Sequence, residues 1–168
     1  MKNFLLSLSA TLLTVGCVID EPFGPYSYDS AYTPVLMERA QLDNSVKLLE
    51  AQEHTNYGKI YRKDSLLFIN EKFSGVHVYD NSNPAEPENL GFISIPGNID
   101  IAIKGNYIYA DNAVDLVVIE YKNGAVKVVD RNKDVFPELS APDGGYAEEL
   151  STRPENTIIV KWEKKWKS

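Results

Sequence analysis

The sequence predicts an all-β protein made of two tandem four-stranded antiparallel meanders, with a short helical turn before them. Aromatic and β-branched residues dominate the apolar set, and such residues favour strands. Short apolar runs are separated by Gly, Asn or Pro, as in "GFISIPGNIDIAIKGNYIYAD" at 91–111, which indicates strands joined by tight turns. The chain also repeats itself at intervals of about 40 residues.

The repeat is visible as two aligned segments in each unit. Residues 63–70 align with 104–111 at an offset of 41, and 76–80 align with 116–120 at an offset of 40. A period near 40 residues with four short strands per unit is typical of a β-propeller blade. The two predicted units cover approximately residues 58–97 and 98–137.

Turn chemistry supports four strands in each unit. Asn123-Gly124 is a strong hairpin signal, because a type I′ turn needs positive φ at both central residues. In the first unit a longer loop at 80–88 joins the last two strands, and its Asp, Asn, Ser and two prolines predict successive turns. In the second unit we expect strands at 99–103, 107–110, 116–121 and 125–130.

The stretch "GVHVYDNSNPAEPENLGFISIPGNIDIAIKGNYIYADNAVDLVVIE" at 75–120 resembles the LVIVD-repeat proteins. That family consists of exported bacterial proteins with propeller-like folds, named for a strand of the type Leu-Val-Ile-Val-Asp. The matching strands are 76–80 and 116–120, and the resemblance covers roughly 35–137. It implies a repeat type and no particular function. This chain departs from the pattern by ending the second strand in Glu120 and by lacking the Asn-Pro loop in its second unit.

Two units are too few to close a propeller, which takes about four to eight blades, or at least ~160 residues of repeat. Residues 35–53 add a predicted strand, a helical turn at 38–44 and a strand at 46–51. The tail at 138–168 adds a turn and a strand at 157–162. We therefore expect an incomplete propeller: a shortened relative, a truncated product, or a small sheet domain that does not close. Open strand edges invite pairing with a second copy or a partner.

The N-terminus predicts export and lipid attachment. The apolar run at 4–15 is too short to span a bilayer and has the length of a secretory signal core, so residues 1–16 are predicted to be a signal peptide. The run ends in "TVGC", which resembles the bacterial lipobox and implies acylation of Cys17, the one cysteine of the chain. Val18 replaces the Asp that usually retains such lipoproteins in the inner membrane, which favours the outer membrane. Residues 17–34 are predicted to form a flexible tether.

Charge and composition limit the partners. The net charge is −7 at pH 7, which argues against nucleic-acid binding. The predicted partners are the membrane, through N-terminal acyl chains, a protein or glycan, and a second copy through open sheet edges. The terminal "KWEKKWKS" at 161–168 mixes Lys and Trp and is predicted to be a solvated strand end, with contact to a membrane surface or an acidic glycan as the alternative.

The candidate binding residues are polar side chains of loops that we expect at one end of both units. Propellers usually bind on the face where such loops emerge, so these side chains predict a polar binding rim, with ordinary solvated loops as the alternative. They are Asn70, Glu71, Asp111, Asn112 and Asp115.

No catalytic residue, metal site or cofactor is expected. His54 and His77 are the only two histidines, they form no HxH or HExxH pattern, and His77 is expected at the surface or rim. No serine lies in a GxSxG motif. The loop at 80–83 has oxygen ligands suited to Ca²⁺ but lacks the glycine and distal Glu of an EF-hand, and a hydrogen-bonded Asx turn explains it.

These observations together predict a lipid-anchored extracytoplasmic protein that acts as a non-catalytic binding or scaffolding module at the outer membrane. Two alternatives stay open. One is a propeller-type enzyme or enzyme accessory subunit with a site built from loops. The other is a truncated copy without a retained function.

Overall fold

A computed structural model of the chain describes residues 28–166. The all-β fold is confirmed, and so is the short helical turn near the start of the domain. The elements in chain order are β1 (Tyr32–Glu38), α1 (Arg39–Asp43), β2 (Lys47–Leu49), β3 (Tyr57–Lys63), β4 (Leu66–Glu71), β5 (Gly75–Asp80), β6 (Glu88–Ser94), β7 (Ile101–Lys104), β8 (Tyr107–Asn112), β9 (Asp115–Lys122), β10 (Ala125–Asn132), the 3₁₀ helix η1 (Glu148–Thr152) and β11 (Thr157–Lys164).

Each predicted unit forms one antiparallel meander. The first sheet has the strand order β2-β6-β5-β4-β3, so a short strand from upstream of the repeat extends the outer edge of the first unit. The second sheet has the order β10-β9-β8-β7. The turn between β9 and β10 has positive φ at both Asn123 (52°) and Gly124 (70°), as the hairpin signal predicts.

The two sheets pack face to face around one apolar core. From the first sheet the core receives Phe68, Val76, Val78 and Ile93, and from the second Ile108, Ala110, Val117 and Ile119. The Phe68 ring meets the Tyr121 ring edge to face across the interface, with 5.8 Å between centroids. The core therefore lies between the repeats and not within either of them.

The repeats are stacked head to tail. Phe68 and Val78 of the first sheet point into the core, whereas the residues aligned with them, Tyr109 and Val118, are half-buried on the outer face of the second sheet. Alternate residues of a strand point to opposite faces, so the second sheet turns the opposite set, which includes Val117, towards the core. The outer face of the second sheet is thus equivalent to the inner face of the first.

A third, two-stranded sheet joins the two ends of the described chain. Strand β1 pairs antiparallel with β11, from Tyr32 beside Lys164 to Glu38 beside Thr157. A small core of Leu42, Ala113 and Val160 packs this sheet and α1 against the turn between β8 and β9. The predicted tail strand is confirmed, but the predicted tether ends too late, because its last three residues already pair in β1.

Several predictions concern residues outside the described range. These are the signal peptide at 1–16, lipid attachment at Cys17, most of the tether and the last two residues of the chain. Within residues 28–166, neither the helical turn nor the 3₁₀ helix has the length and apolar character needed to cross a membrane.

Candidate functional site

The predicted rim residues do lie at one end of the two sheets, but most of them are buried. The linker between the sheets crosses this end: Phe73 N donates to Asn98 O (2.5 Å), and Gly97 N donates to Phe73 O (3.0 Å). Gly97 has φ of 78°, and a Cβ added there would lie 2.7 Å from the Ala113 Cα. The linker therefore covers the turns of both sheets, and the side chains of these turns face protein instead of solvent.

Asp115 is a fully buried carboxylate at this end of the second sheet. It accepts hydrogen bonds from Arg131 Nη1 (2.7 Å) and from the backbone of Asp134 (3.1 Å), and Arg39 Nη1 lies 2.9 Å away. Its neighbour Asn112 is also fully buried and accepts from Arg131 Nη1 (2.8 Å). These polar groups fasten α1 and β10 to the turn between β8 and β9, which is a structural role.

The prediction of a solvent-facing binding rim is therefore wrong for four of its five residues. Asn70 is 1% exposed and donates to Ile99 O (2.8 Å), and Glu71 is 7% exposed. Asp111 is half-buried and accepts from the backbone of Ile99 (2.8 Å) and Asp100 (3.0 Å). Burial raises the pKa of Asp111, although these hydrogen bonds oppose the increase.

An apolar groove lies on the outer face of the second sheet. The segment at 135–140 crosses this face, held where Phe136 N donates to Val114 O (3.0 Å), and the space beside it has a volume of about 600 Å³. Its apolar lining includes Tyr109, Leu116 and Leu139. Phe136 also lines it and is 40% exposed. Since this face is equivalent to the face that carries the core in the first sheet, its apolar character follows from the repeat.

The charged residues of the groove lining are all acidic: Asp100, Asp111 and Glu138. Burial works to raise the pKa of Asp100, but hydrogen bonds from Lys59 and Tyr61 outweigh it and lower that pKa. For Tyr61, burial and the hydrogen bond to Asp100 raise the pKa to about 12. The groove therefore combines an apolar floor with a margin of three carboxylates, of which Asp100 pairs with Lys59 and Glu138 pairs with Arg153.

A second buried polar cluster lies on the outer face of the first sheet. The irregular segment at 50–56 crosses that face and places His54 over His77, with their rings stacked at 3.7 Å between centroids and 29° between planes. His77 Nε2 lies 2.6 Å from Glu71 Oε2, and His54 Nε2 lies 2.7 Å from Tyr79 Oη. The expectation that His77 lies at the surface is wrong, because its side chain is 0% exposed.

The three residues His54, Glu71 and His77, here called the His-Glu cluster, have the composition of a metal site. Each offers a potential ligand atom, and these atoms lie within 4.8 Å of one another. Burial works to raise the pKa of Glu71, but hydrogen bonds from His77 and Thr55 outweigh it and lower that pKa. Burial, assisted by the neighbouring His77, lowers the pKa of His54. A neutral imidazole beside a carboxylate is the form in which both groups bind metal.

The predicted Asx turn is confirmed: Asp80 Oδ1 accepts from the Ser82 backbone (2.8 Å) and from the Ser82 hydroxyl (2.6 Å). In the tail, Trp162 is 7% exposed and donates to Leu139 O (2.9 Å), whereas Trp166 is 97% exposed. Lys165 N donates to Ala31 O (2.8 Å), so the described end of the tail lies beside the start of β1.

Comparisons with protein-family models, curated proteins and solved structures found no match for this chain. The resemblance to LVIVD-repeat proteins stays a prediction from the repeat. Sequence reasoning missed the His-Glu cluster because His54 lies in a segment without periodicity. One signal was present: His77 interrupts an apolar strand at a position where the second unit has Val117.

Proposed function

We propose that this protein is a lipid-anchored extracytoplasmic β-repeat module that binds another protein at the outer membrane and has no catalytic role of its own. The sequence supports the anchor through the lipobox-like motif at Cys17. One observation carries the binding role: the outer face of the second sheet keeps an apolar groove of about 600 Å³ at the position where a further meander would stack. The two meanders are, in this proposal, blades of an incomplete propeller.

The groove favours a protein segment that carries apolar side chains flanked by Lys or Arg. Its apolar floor matches the inner face of the first sheet, which in this molecule packs against a β-sheet. Its charged lining is acidic, and Asp111, unlike Asp100 and Glu138, has no cation partner among the described residues, which favours a basic flank and disfavours acidic glycans. A second copy is a poor occupant, because the face that would complement the groove, the outer face of the first sheet, is crossed by the segment at 50–56.

The binding role is tested with a library of random short peptides displayed on phage and selected against the purified protein. We expect the selected peptides to combine aromatic or aliphatic residues with Lys or Arg, and a synthetic copy to bind with a measurable dissociation constant. Phe136→Ser should weaken this binding, because Phe136 is a large, partly exposed side chain of the groove. Removing an exposed apolar side chain should leave the fold intact.

Val135→Ser is the matched control. Val135 is 51% exposed, adjacent in sequence and not part of the groove lining, so this variant should bind as the wild type does. Equal binding by wild type and Phe136→Ser would contradict the proposal. If the protein forms a concentration-dependent dimer that Phe136→Ser disrupts and Val135→Ser does not, the occupant of the groove is a second copy and not another protein.

The anchor is tested separately by fractionation of the host envelope. Cys17→Ser should release the protein from the membrane fraction, because stable anchoring needs more than one acyl chain and all of them depend on this cysteine. Val18→Asp should keep the protein in the inner membrane while leaving the lipid in place. A Cys17→Ser protein that stays in the outer membrane would refute lipid anchoring and leave the groove proposal unaffected.

A further inference from the structure

We propose that His54, Glu71 and His77 form a binding site for one divalent transition-metal ion of the Zn²⁺ class on the outer face of the first sheet. Two imidazoles and one carboxylate are a common set of zinc ligands, and three protein ligands leave a position for water or another molecule. The potential ligand atoms lie within 4.8 Å of one another. This site is separate from the groove and does not depend on it.

The burial of the cluster points to a ligand. The Nδ1 atoms of His54 and His77 are both buried without a hydrogen-bond partner, and the His77 side chain is fully buried. A buried polar atom without a partner costs free energy. A metal coordinated by His54 Nδ1 would offset that cost at His54, whereas a purely structural role for His77 would be served as well by a valine, the residue at the equivalent position of the second sheet.

Neighbouring groups support the ligands. Thr55 donates its hydroxyl to Glu71 Oε1, which leaves Oε2 directed at His77 Nε2. An ion bound by Glu71 Oε2 and His77 Nε2 takes the place of the proton that these two atoms share. Tyr79 Oη lies 2.7 Å from His54 Nε2 and accepts from Asn89 Nδ2 (3.1 Å). A metal-ligating histidine donates its other ring N–H, so with Nε2–H donating to Tyr79 Oη the ligand atom of His54 is Nδ1.

The two histidines differ in their freedom to move. A metal–nitrogen bond lies in the plane of the imidazole, so one ion cannot bind both rings while they stay stacked. His77 lies on the central strand β5 and its ring also packs on Phe92, with centroids 4.7 Å apart. His54 lies on the irregular segment at 50–56 and is only half-buried. His54 is therefore the ring that turns towards the ion, and this segment should become more ordered when metal binds.

The first test is a titration of the wild-type site with Zn²⁺ alone. The full chain carrying Cys17→Ser is used without a histidine tag, so that neither a thiol nor a tag competes for the metal. The chain has two histidines, so imidazole nitrogen signals in NMR spectra belong to His54 or His77 only. We expect saturable one-to-one binding, shifts of nitrogen signals from both rings, and a higher Tm at saturating Zn²⁺.

The second test uses variants of the ligands. His54→Ala and Glu71→Gln should each weaken Zn²⁺ binding at least about 10-fold, the loss typical of removing even a group that only supports a ligand. Glu53→Gln is the matched control, because Glu53 is exposed, next to His54 and outside the cluster. It should leave the affinity unchanged. His54→Cys should bind Zn²⁺ more tightly than His54→Ala, since a thiolate is also a zinc ligand.

Circular dichroism decides whether a variant is folded before its affinity is compared. Glu71→Gln leaves His77 without its carboxylate partner and is the variant that unfolds most readily. The titration of the wild-type site needs no substitution and is independent of this effect. Zn²⁺ that leaves the nitrogen signals of both histidines in place would overturn the proposal. So would an affinity that His54→Ala and Glu53→Gln reduce equally.

Discussion

The two meanders have the same strand order and a common repeat, yet their outer faces are covered in different ways. On the first sheet the segment at 50–56 covers polar side chains, which it buries as the His-Glu cluster. On the second sheet the segment at 135–140 covers part of an apolar face and leaves a groove beside Phe136. Head-to-tail stacking explains the difference, because the two outer faces correspond to opposite faces of the repeat and carry different sets of side chains.

Equivalent residues at the turns of the two sheets also have different roles. Glu71 and Asn112 occupy equivalent positions, and both are buried. Asn112 belongs to a network around Asp115 that holds α1, and that network contains two arginines within hydrogen-bond distance of the carboxylate. Glu71 faces a histidine pair with two unpartnered nitrogen atoms. The same position of the repeat thus serves packing in one sheet and a candidate metal site in the other.

The largest expected effect tests the stacking itself. Phe68 and Tyr109 are equivalent in the repeat, but Phe68 is 2% exposed in the core and Tyr109 is half-buried in the groove. Phe68→Ala should lower the free energy of unfolding by about 3–5 kcal/mol. Tyr109→Ala should cost about 1 kcal/mol, since less of its surface is buried on folding. Urea unfolding followed by circular dichroism measures both.

The control for this pair is Val129→Ala on strand β10. Val129 is 43% exposed, so its truncation should stay within about 0.5 kcal/mol of the wild type. Equal costs for Phe68→Ala and Tyr109→Ala would mean that the outer face of the second sheet is packed as tightly as the core. The groove would then not be an open binding surface.

The next effect concerns the buried network that only the second sheet has. Asp115→Ala should lower the free energy of unfolding by about 3 kcal/mol, because it leaves Arg39 and Arg131 without their buried counter-charge. Asp130→Ala is the control, since Asp130 is exposed and precedes Arg131 on the same strand. If the two variants lose stability equally in thermal melts, the network does not hold α1 and β10 to the turn.

The sequence alone was sufficient to predict the two meanders, because the residues that determine each hairpin lie close together in the chain. Asn123-Gly124 and the alternation of apolar residues determine a hairpin within a few positions, and the repeat then supplies the second copy of the pattern. The pairing of β1 with β11 was not predictable in this way, because it joins segments more than a hundred residues apart and neither carries a register signal. Thus the tail strand was predicted but its partner was not.

The prediction of a solvent-facing binding rim was wrong for a physical reason. Asn70, Glu71, Asn112 and Asp115 are polar, and polar residues at turns are usually solvated. Here the linker covers the turns of both sheets, and α1 with Arg131 adds to the cover of the second. Hydrogen bonds from other elements compensate most of the buried polar groups. The sequence shows the polar groups but not the hydrogen-bond partners that reach them, so burial at this end depends on tertiary structure.

The smallest expected effect compares the segments that cover the two outer faces. Glu138, on the segment over the second sheet, forms a bidentate ion pair with Arg153, with both N–O distances 2.8 Å. The hydrogen bonds from Arg153 lower the pKa of Glu138 from its ordinary value of 4.5. The folded state therefore binds fewer protons than the unfolded state between the two pKa values, and stability rises with pH through that window. The stabilisation is complete above pH 4.5 and is lost as the pH falls through the folded-state pKa.

Glu138→Gln should therefore be less stable than the wild type at pH 7 by less than about 1 kcal/mol, because the side chains of Glu138 and Arg153 are 40% and 26% exposed and water screens the pair. The difference should shrink as the pH falls through the folded-state pKa of Glu138, and it should also shrink in high salt. Glu163→Gln provides the comparison, since Glu163 pairs with Lys161 near the end of β11, away from the groove. A stability difference for Glu138→Gln that stays constant from neutral to acidic pH would show that the ion pair does not hold this segment. The partial cover of the second sheet would then depend on the apolar contacts of Leu139 and the backbone of Phe136 alone.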